Sequence, residues 1–110
     1  DYWVVARADV PFFLRETLRR IGLNARETGD FMEFWGPRMQ SSPWYKIGFH
    51  GTRVMDMLAP MSLSVRPDSV LRVLMDYSEL DAPVDARPPR FVPRFDRRGF
   101  TVVEWGGVLR

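Results

Sequence analysis

The segment that most constrains the fold of this chain is residues 99–107, with the sequence Gly-Phe-Thr-Val-Val-Glu-Trp-Gly-Gly. A β-branched centre flanked by aromatic residues is typical of a strand, and two closing glycines indicate a turn directly after it. The segment lies near the end of the sequence and follows a proline-rich stretch. We therefore expect the fold to complete a β-sheet with this last segment.

Two helices joined by a short turn are predicted before residue 37. Apolar residues recur at helical spacing over 10–21. Gly22 predicts a left-handed residue that ends the first helix, and Asn24 with Glu27 has the spacing of a capping box that begins the second. Pro37 ends the second helix, because proline lacks the amide that the helix needs.

The rest of the chain is dominated by alternating patterns that predict strands. These lie at 2–7, 44–50, 63–65, 70–77 and in the closing segment, with a short helix after Thr52 and no regular element in the proline-rich residues 81–94. The order β-α-α-β-α-β-β-β, with a hairpin around Pro67, predicts an α+β two-layer sandwich whose mostly antiparallel sheet carries the helices on one face. We expect its core to contain Leu14, Leu18, Ile21, Phe31, Phe34, Trp35, Leu71, Val73 and Met75.

Length and composition predict one α+β domain over residues 1–110. Hydrophobic residues make up 45% of the chain, which is enough for a core, and there is no cysteine for disulfides or thiolate metal sites. No apolar run approaches the roughly 20 residues that span a bilayer. The sequence begins at Asp1, without methionine, directly before an apolar segment. We interpret this as a domain excised or processed from a longer chain.

The charge pattern argues against nucleic acid as a partner. The chain has 15 arginines but a single lysine, Lys46, a bias more typical of a GC-rich genome than of a phosphate-binding design. The formal net charge is only +2, and the arginines are spread along the sequence beside carboxylates.

Candidate catalytic residues are few. His50 is the only histidine, so a histidine pair or a His-rich metal site is excluded. Asp76 and Glu104 could act as a general acid and base, the pairing that glycosidases use, and this defines a hydrolase alternative. Both fall on the predicted uncovered face of the sheet, where solvated carboxylates or partners of Arg72 are more common. We therefore predict a protein that is not an enzyme, with no cofactor, metal or catalytic residue.

Aromatic residues provide the candidate binding surface. Four tryptophans exceed what a small core usually needs, and Trp44 is expected to face outward, opposite Tyr45. Such a platform suits a sugar or a protein partner. The predicted binding residues are Trp44, Trp105, Arg72 and His50.

The helix pair offers a nucleic-acid alternative. Residues 18–24 resemble the turn of a helix-turn-helix, so the pair at 10–36 could bind DNA. The second helix, however, carries Glu27, Asp30 and Glu33, and is acidic where a major-groove helix should be basic.

Four segments together, residues 23–37, 42–45, 67–77 and 99–107, resemble a family of bacterial secreted or envelope-associated proteins of unassigned activity. The similarity covers nearly the whole chain, and the closing GFTVVEWGG-like motif is its most specific part. The resemblance implies an extracellular or cell-envelope location and supplies no catalytic residues.

We thus expect a non-enzymatic interaction or structural domain of a bacterial exported protein, which binds a protein partner or a second copy through a sheet edge or exposed aromatics. The closing strand, residues 100–105, is expected to pair inside the sheet, which leaves the first strand as the free edge.

Overall fold

The computed structural model describes all 110 residues and contains one four-stranded sheet with three α-helices. The elements, in chain order, are β1 (Trp3–Ala6), α1 (Val10–Ile21), α2 (Ala25–Trp35), β2 (Trp44–His50), α3 (Thr52–Leu58), β3 (Ser69–Leu80) and β4 (Thr101–Leu109). Short 3-10 turns precede α1 and follow α2. The α+β class is confirmed, with one strand fewer than predicted.

The strands are arranged in the order β1-β2-β3-β4. The β1–β2 and β2–β3 pairs are antiparallel, whereas β3 and β4 are parallel. The mostly antiparallel sheet is therefore confirmed. Parallel pairing arises because residues 81–100, which form no helix or strand, carry the chain back along the length of β3 before β4 begins.

The predicted strand at 63–65 and the hairpin around Pro67 are wrong. Residues 59–68 form neither helix nor strand, and Leu63 and Val65 are 42% and 63% exposed. A strand needs a neighbour with free backbone groups, but β3 is already flanked by β2 and β4. Alternation over so few residues is too short to displace either neighbour of β3.

The closing glycines do not form a turn, contrary to prediction. Gly106 and Gly107 lie inside β4, which continues to Leu109. The reason is non-local. A Cβ at Gly107 would lie 2.7 Å from Cζ2 of Trp35, so glycine is needed where an indole ring crosses the strand.

The main core lies between α1, α2 and one face of the sheet. Side chains that alternate along β3 point to this face, and the buried set contains Leu14, Leu18, Ile21, Phe31, Leu71, Val73 and Met75, as predicted. Phe34 differs from the prediction. It is 43% exposed, because it lies at the outer side of α2 beside β4, and contacts Trp35 and Trp105 at the rim of the core.

The ends of the helix pair follow the sequence closely. Gly22 has φ of 129°, the positive φ that glycine tolerates, and the amides of Gly22 and Leu23 both donate to the carbonyl of Leu18. The Asn24 Oδ1 accepts from the Glu27 amide at 2.8 Å, and Glu27 Oε1 accepts from the Asn24 amide at 2.9 Å. The predicted capping box is confirmed.

The crossing, residues 81–100, follows a defined path although it lacks regular structure. The Tyr2 amide donates to the carbonyl of Arg87 at 2.9 Å, which places the crossing beside β1. Further along, Arg97 donates to both carboxylate oxygens of Glu27, at 2.6 and 2.9 Å. The crossing therefore passes the β1 edge and then the start of α2 before it reaches β4.

Candidate functional site

Strand β4 presents an unpaired edge. The carbonyl of Phe100 accepts from the Ser69 amide, and the Arg110 amide donates to the carbonyl of Tyr77. In a parallel ladder only alternate residues point to the neighbouring strand, so the even-numbered residues of β4 face β3. No hydrogen bond reaches the outward amides and carbonyls of the alternate residues. These outward residues are Thr101, Val103, Trp105, Gly107 and Leu109.

The β4 edge lacks the features that usually protect a strand. Its nine residues pair with β3 in continuous register, without a bulge, and at about 3.3 Å each they extend for about 30 Å. Glu104 is the only charged residue, and there is neither proline nor lysine. Natural proteins normally break or cover such an edge, because it otherwise pairs with another chain.

The β1 edge differs from the β4 edge. β1 has four residues, and the Arg87 carbonyl of the crossing already bonds to Tyr2 beside it. We expected the first strand to be the free edge. β1 is an edge strand, but β4 is the longer edge, and its outward amides and carbonyls have no hydrogen-bond partners. The closing strand is part of the sheet, as predicted, yet it joins at the outside because the crossing returns the chain to the far side of β3.

An aromatic rim, defined here as Phe34, Trp35 and Trp105, borders the β4 edge on the helix side. The ring centroid of Phe34 lies 4.9 Å from that of Trp35 and 6.2 Å from that of Trp105. The guanidinium of Arg38 lies 3.7 Å from the Phe34 ring centroid. The rim thus places an exposed aromatic side chain and a stacked cation beside unpaired backbone groups.

The structure does not bring the predicted binding residues Trp44 and Trp105 together. Trp44 lies on β2, on the face opposite the buried Tyr45, and is half-buried. Trp105 lies on β4 and contacts Phe31 of α2, with ring centroids 5.3 Å apart. The two tryptophans therefore occupy opposite faces of the sheet, and a shared aromatic platform is ruled out.

Arg72 is buried on the sheet face opposite α1 and α2, with 3% of the residue exposed. Its Nε donates to Glu104 Oε2 at 2.6 Å and its Nη1 donates to Asp56 Oδ1 at 3.0 Å. Its amide donates to Thr52 Oγ1 at 2.8 Å. Hydrogen bonding to Glu104 and then to Asp56 raises the pKa of Arg72 above its ordinary value. Arg72 thus joins β3, β4 and α3 through its Nε, its Nη1 and its amide.

Asp76 lies on the same face as Arg72 and is 4% exposed. Arg110 Nε donates to Asp76 Oδ2 at 2.8 Å, and His50 Nε2 lies 3.6 Å from the same oxygen. His50 is only partly exposed and lies at the end of β2, next to α3. A charged partner for a buried carboxylate is the usual structural arrangement.

The proposed acid and base of the hydrolase alternative are far apart. Glu104 is in register with Arg72, whereas Asp76 is in register with Val108, four residues further along the strands. Four residues correspond to about 13 Å, beyond the roughly 5–9.5 Å at which carboxylate pairs hydrolyse glycosides. Each carboxylate also bonds to its own arginine. No group of three or more His, Asp or Glu side chains is close enough to hold a metal ion.

The largest groove lies between α1 and α2 and has a volume of about 790 Å³. Its rim mixes Arg15 and Arg19 with Glu16 and Glu33. Helix α2 also exposes Asp30. This mixture of charges does not match the continuous phosphate backbone of duplex DNA.

A more basic hollow of about 520 Å³ lies where the end of α1 meets the crossing. Its lining includes Arg20, Arg90 and Arg94, none of which forms a salt bridge, and Phe91, which is 85% exposed. The sequence alone does not predict this basic hollow, because the approach of the crossing to α1 is a tertiary contact. The cluster of arginines around Phe91 was the available signal.

No family model, curated protein or solved structure matches this chain. The resemblance carried by residues 99–107 therefore stays a prediction. None of the three helices is both long and apolar enough to cross a bilayer.

Proposed function

We propose that this chain is a non-enzymatic interaction domain that binds an extended segment of a protein partner along β4. The observation that carries the proposal is the nine-residue edge, whose outward amides and carbonyls have no hydrogen-bond partner. An added strand would satisfy these groups and extend the sheet.

Two kinds of contact would contribute to such binding. Backbone hydrogen bonds to β4 would provide affinity with little dependence on the sequence of the partner. Specificity would come from the aromatic rim, where Phe34 is 43% exposed and offers apolar surface to a partner side chain. The stacked Arg38 adds a cation at the same place, so an acidic or aromatic residue of the partner would fit there.

The proposal is tested with displayed libraries of 12-residue peptides. Selected peptides should shift the amide resonances of residues 101–109 in a heteronuclear NMR titration. Val103→Pro removes one outward amide from an edge strand, where proline is tolerated, and should weaken binding at least tenfold. Val65→Pro, at an exposed residue outside any helix or strand, is the matched control and should leave binding unchanged. Resonance shifts confined to another surface, or equal binding by both variants, would contradict the proposal.

The exported location rests on the resemblance of residues 23–37, 42–45, 67–77 and 99–107 alone. We propose that the interaction domain acts outside the bacterial cytoplasm, in the envelope or in the medium. Fractionation of cells that express the native gene, followed by immunodetection, tests this location.

A second candidate function, binding of single-stranded nucleic acid, is favoured by the basic hollow at the end of α1. Three arginines without salt bridges can contact phosphates, and the exposed ring of Phe91 can stack on a base. This site differs from the helix-turn-helix reading, which places the contacts along α2.

Anisotropy titrations with a labelled 12-nucleotide single strand at 50 and 200 mM salt test this second function. Phe91→Ala and Arg94→Gln should each weaken binding at low salt at least threefold. Arg66→Gln is the control, because Arg66 is exposed and does not line the basic hollow. Absence of binding at 50 mM salt would end this alternative.

A further inference from the structure

We propose that the strand accepted by β4 is β4 of a second copy, in an antiparallel pair centred on Trp105. This inference rests on the proposed function, since it names the partner of the same edge. Two four-stranded sheets would then form one continuous eight-stranded sheet around a two-fold axis, the commonest symmetry of soluble homo-oligomers.

The pattern of outward groups fits this pairing. The strand Thr101–Leu109 has Trp105 at its midpoint, and its outward residues are placed symmetrically about that midpoint. With Trp105 opposite Trp105 of the second copy, Val103 lies opposite Gly107 and Thr101 opposite Leu109. Outward residues face each other in every case, so each pair can exchange both hydrogen bonds. All outward groups of both strands are satisfied, by about ten hydrogen bonds.

Charge and backbone pairing together favour this register over its two nearest neighbours. In the neighbouring register that is centred on residue 104, Glu104 lies directly opposite Glu104 of the second copy, and like charges in that position are destabilising. In the other neighbouring register, which is centred on residue 106, the outward amide and carbonyl of Thr101 stay unpaired in both copies. In the register centred on Trp105, the only charged side chain of β4 lies opposite Gly106.

Gly106 provides an independent reason for this register. A Cβ at this position would contact only Leu74 Cδ1, at the ordinary distance of 3.9 Å, so the isolated chain does not require a glycine there. Its neighbour Gly107 is required, because Trp35 crosses it. Opposite Glu104 of the second copy, a residue without a side chain leaves room for the Glu104–Arg72 ion pair to stay intact.

The aromatic rim would cover the helix side of the axis. Trp105 of each copy would meet across the axis, and the exposed Phe34 of each α2 would approach them. A strand pair with one aromatic flank is smaller than the roughly 800 Å² per partner of a standard interface. We therefore expect a dimer that dissociates in the micromolar range.

The absence of cysteine makes a disulfide test possible. Val102 and Val108 of different copies would face each other in a non-hydrogen-bonded pair, with Cα atoms about 4.5 Å apart, close enough for a disulfide. Within one chain they are six residues, about 20 Å, apart. An oxidised mixture of Val102→Cys and Val108→Cys should give a covalent heterodimer, whereas neither variant alone should cross-link. Val102→Cys mixed with Gly106→Cys, which reports the neighbouring register, should cross-link at least fivefold more slowly.

Light scattering coupled to size exclusion, from 1 to 500 μM, measures the association without cross-linking. The native chain should change from monomer to dimer, and Val103→Pro should stay monomeric. Faster cross-linking of the 102 and 106 pair would overturn the register. A chain that stays monomeric at 500 μM, while peptides still bind residues 101–109, would overturn self-association and leave the proposed function standing. If peptides also fail to bind there, both proposals fall.

Discussion

The two adjacent glycines of β4 allow a sharp test of how the core is built. We expect Gly107→Ala to destabilise the fold and Gly106→Ala to leave it unchanged or slightly more stable. Neither glycine has a positive φ, so alanine suits the backbone at both positions. The two variants add the same methyl group to the same strand and differ only in what that group meets.

The magnitude follows from the surroundings of each methyl group. At Gly107 the new Cβ would lie 2.7 Å from Trp35 Cζ2 and about 3.0 Å from two further ring atoms. The rigid ring is held between Phe34 and Tyr77, so it cannot move without disturbing its neighbours. Its Nε1–H has no hydrogen-bond partner, so a displaced ring loses packing only. Overpacking of this kind costs about 1–3 kcal/mol.

Alanine at position 106 is expected to leave the free energy of unfolding unchanged or to raise it. Its methyl group would contact Leu74 at 3.9 Å, which is ordinary van der Waals contact. Replacing glycine also reduces the freedom of the unfolded chain, a gain of about 0.4–1 kcal/mol. Gly107→Ala has the same gain, so the two variants should differ in free energy of unfolding by the overpacking cost alone, about 1–3 kcal/mol.

Unfolding in urea, monitored by tryptophan fluorescence, measures both effects. The protein concentration is kept below the micromolar range so that association does not contribute. Thermal unfolding should agree, with Gly107→Ala melting about 4–12 °C below Gly106→Ala. Equal stabilities for the two alanine variants would refute the argument, because they would show that Trp35 does not press on Gly107.

Three further substitutions test other contacts. Leu18→Ala removes a fully buried side chain of α1 and should lower the free energy of unfolding by about 2–5 kcal/mol, measured by urea denaturation; an unchanged midpoint would contradict the core assignment. Gly22→Val should lower the melting temperature more than Thr28→Val, since Gly22 has φ of 129° and a Cβ would lie 2.8 Å from the Phe95 carbonyl oxygen. The Arg97 hydrogen bonds lower the pKa of Glu27 below its ordinary 4.5, so its contribution is present above that pH and is lost as pH falls through the depressed value. The stability difference between native chain and Glu27→Gln should therefore shrink between pH 5 and pH 3 in urea titrations, and a constant difference would show that the ion pair is not involved.

Local elements of this fold were predictable because their causes are local. The end of α1 depends on Gly22 and the start of α2 on Asn24 and Glu27, residues that contact their own neighbours in sequence. The buried face of β3 likewise follows from its alternating pattern, and the four-proline stretch correctly predicted a segment without regular structure. Together these patterns were enough to predict the α+β class.

The errors share a non-local cause. Leu63 and Val65 alternate like a strand, but β3, the strand with which they were expected to form a hairpin, already has β2 and β4 on its two sides. Gly106 and Gly107 look like a turn, but the reason for glycine at 107 is Trp35, more than 70 residues away. Trp44 and Trp105 are both half-buried aromatics, and only the register in which their strands pair with β3 places them on opposite faces.

The sequence by itself determined that a strand covers residues 101–105, because β propensity and alternation belong to the segment alone. Only the tertiary structure decided that this strand lies at the sheet edge and parallel to β3. The contacts of the crossing with Tyr2 and Glu27 set the path that brings the chain back to the far side of β3. Whether a strand has one neighbour or two depends on that path, and so the candidate site, a row of unpaired backbone groups, is absent from any local pattern of residues.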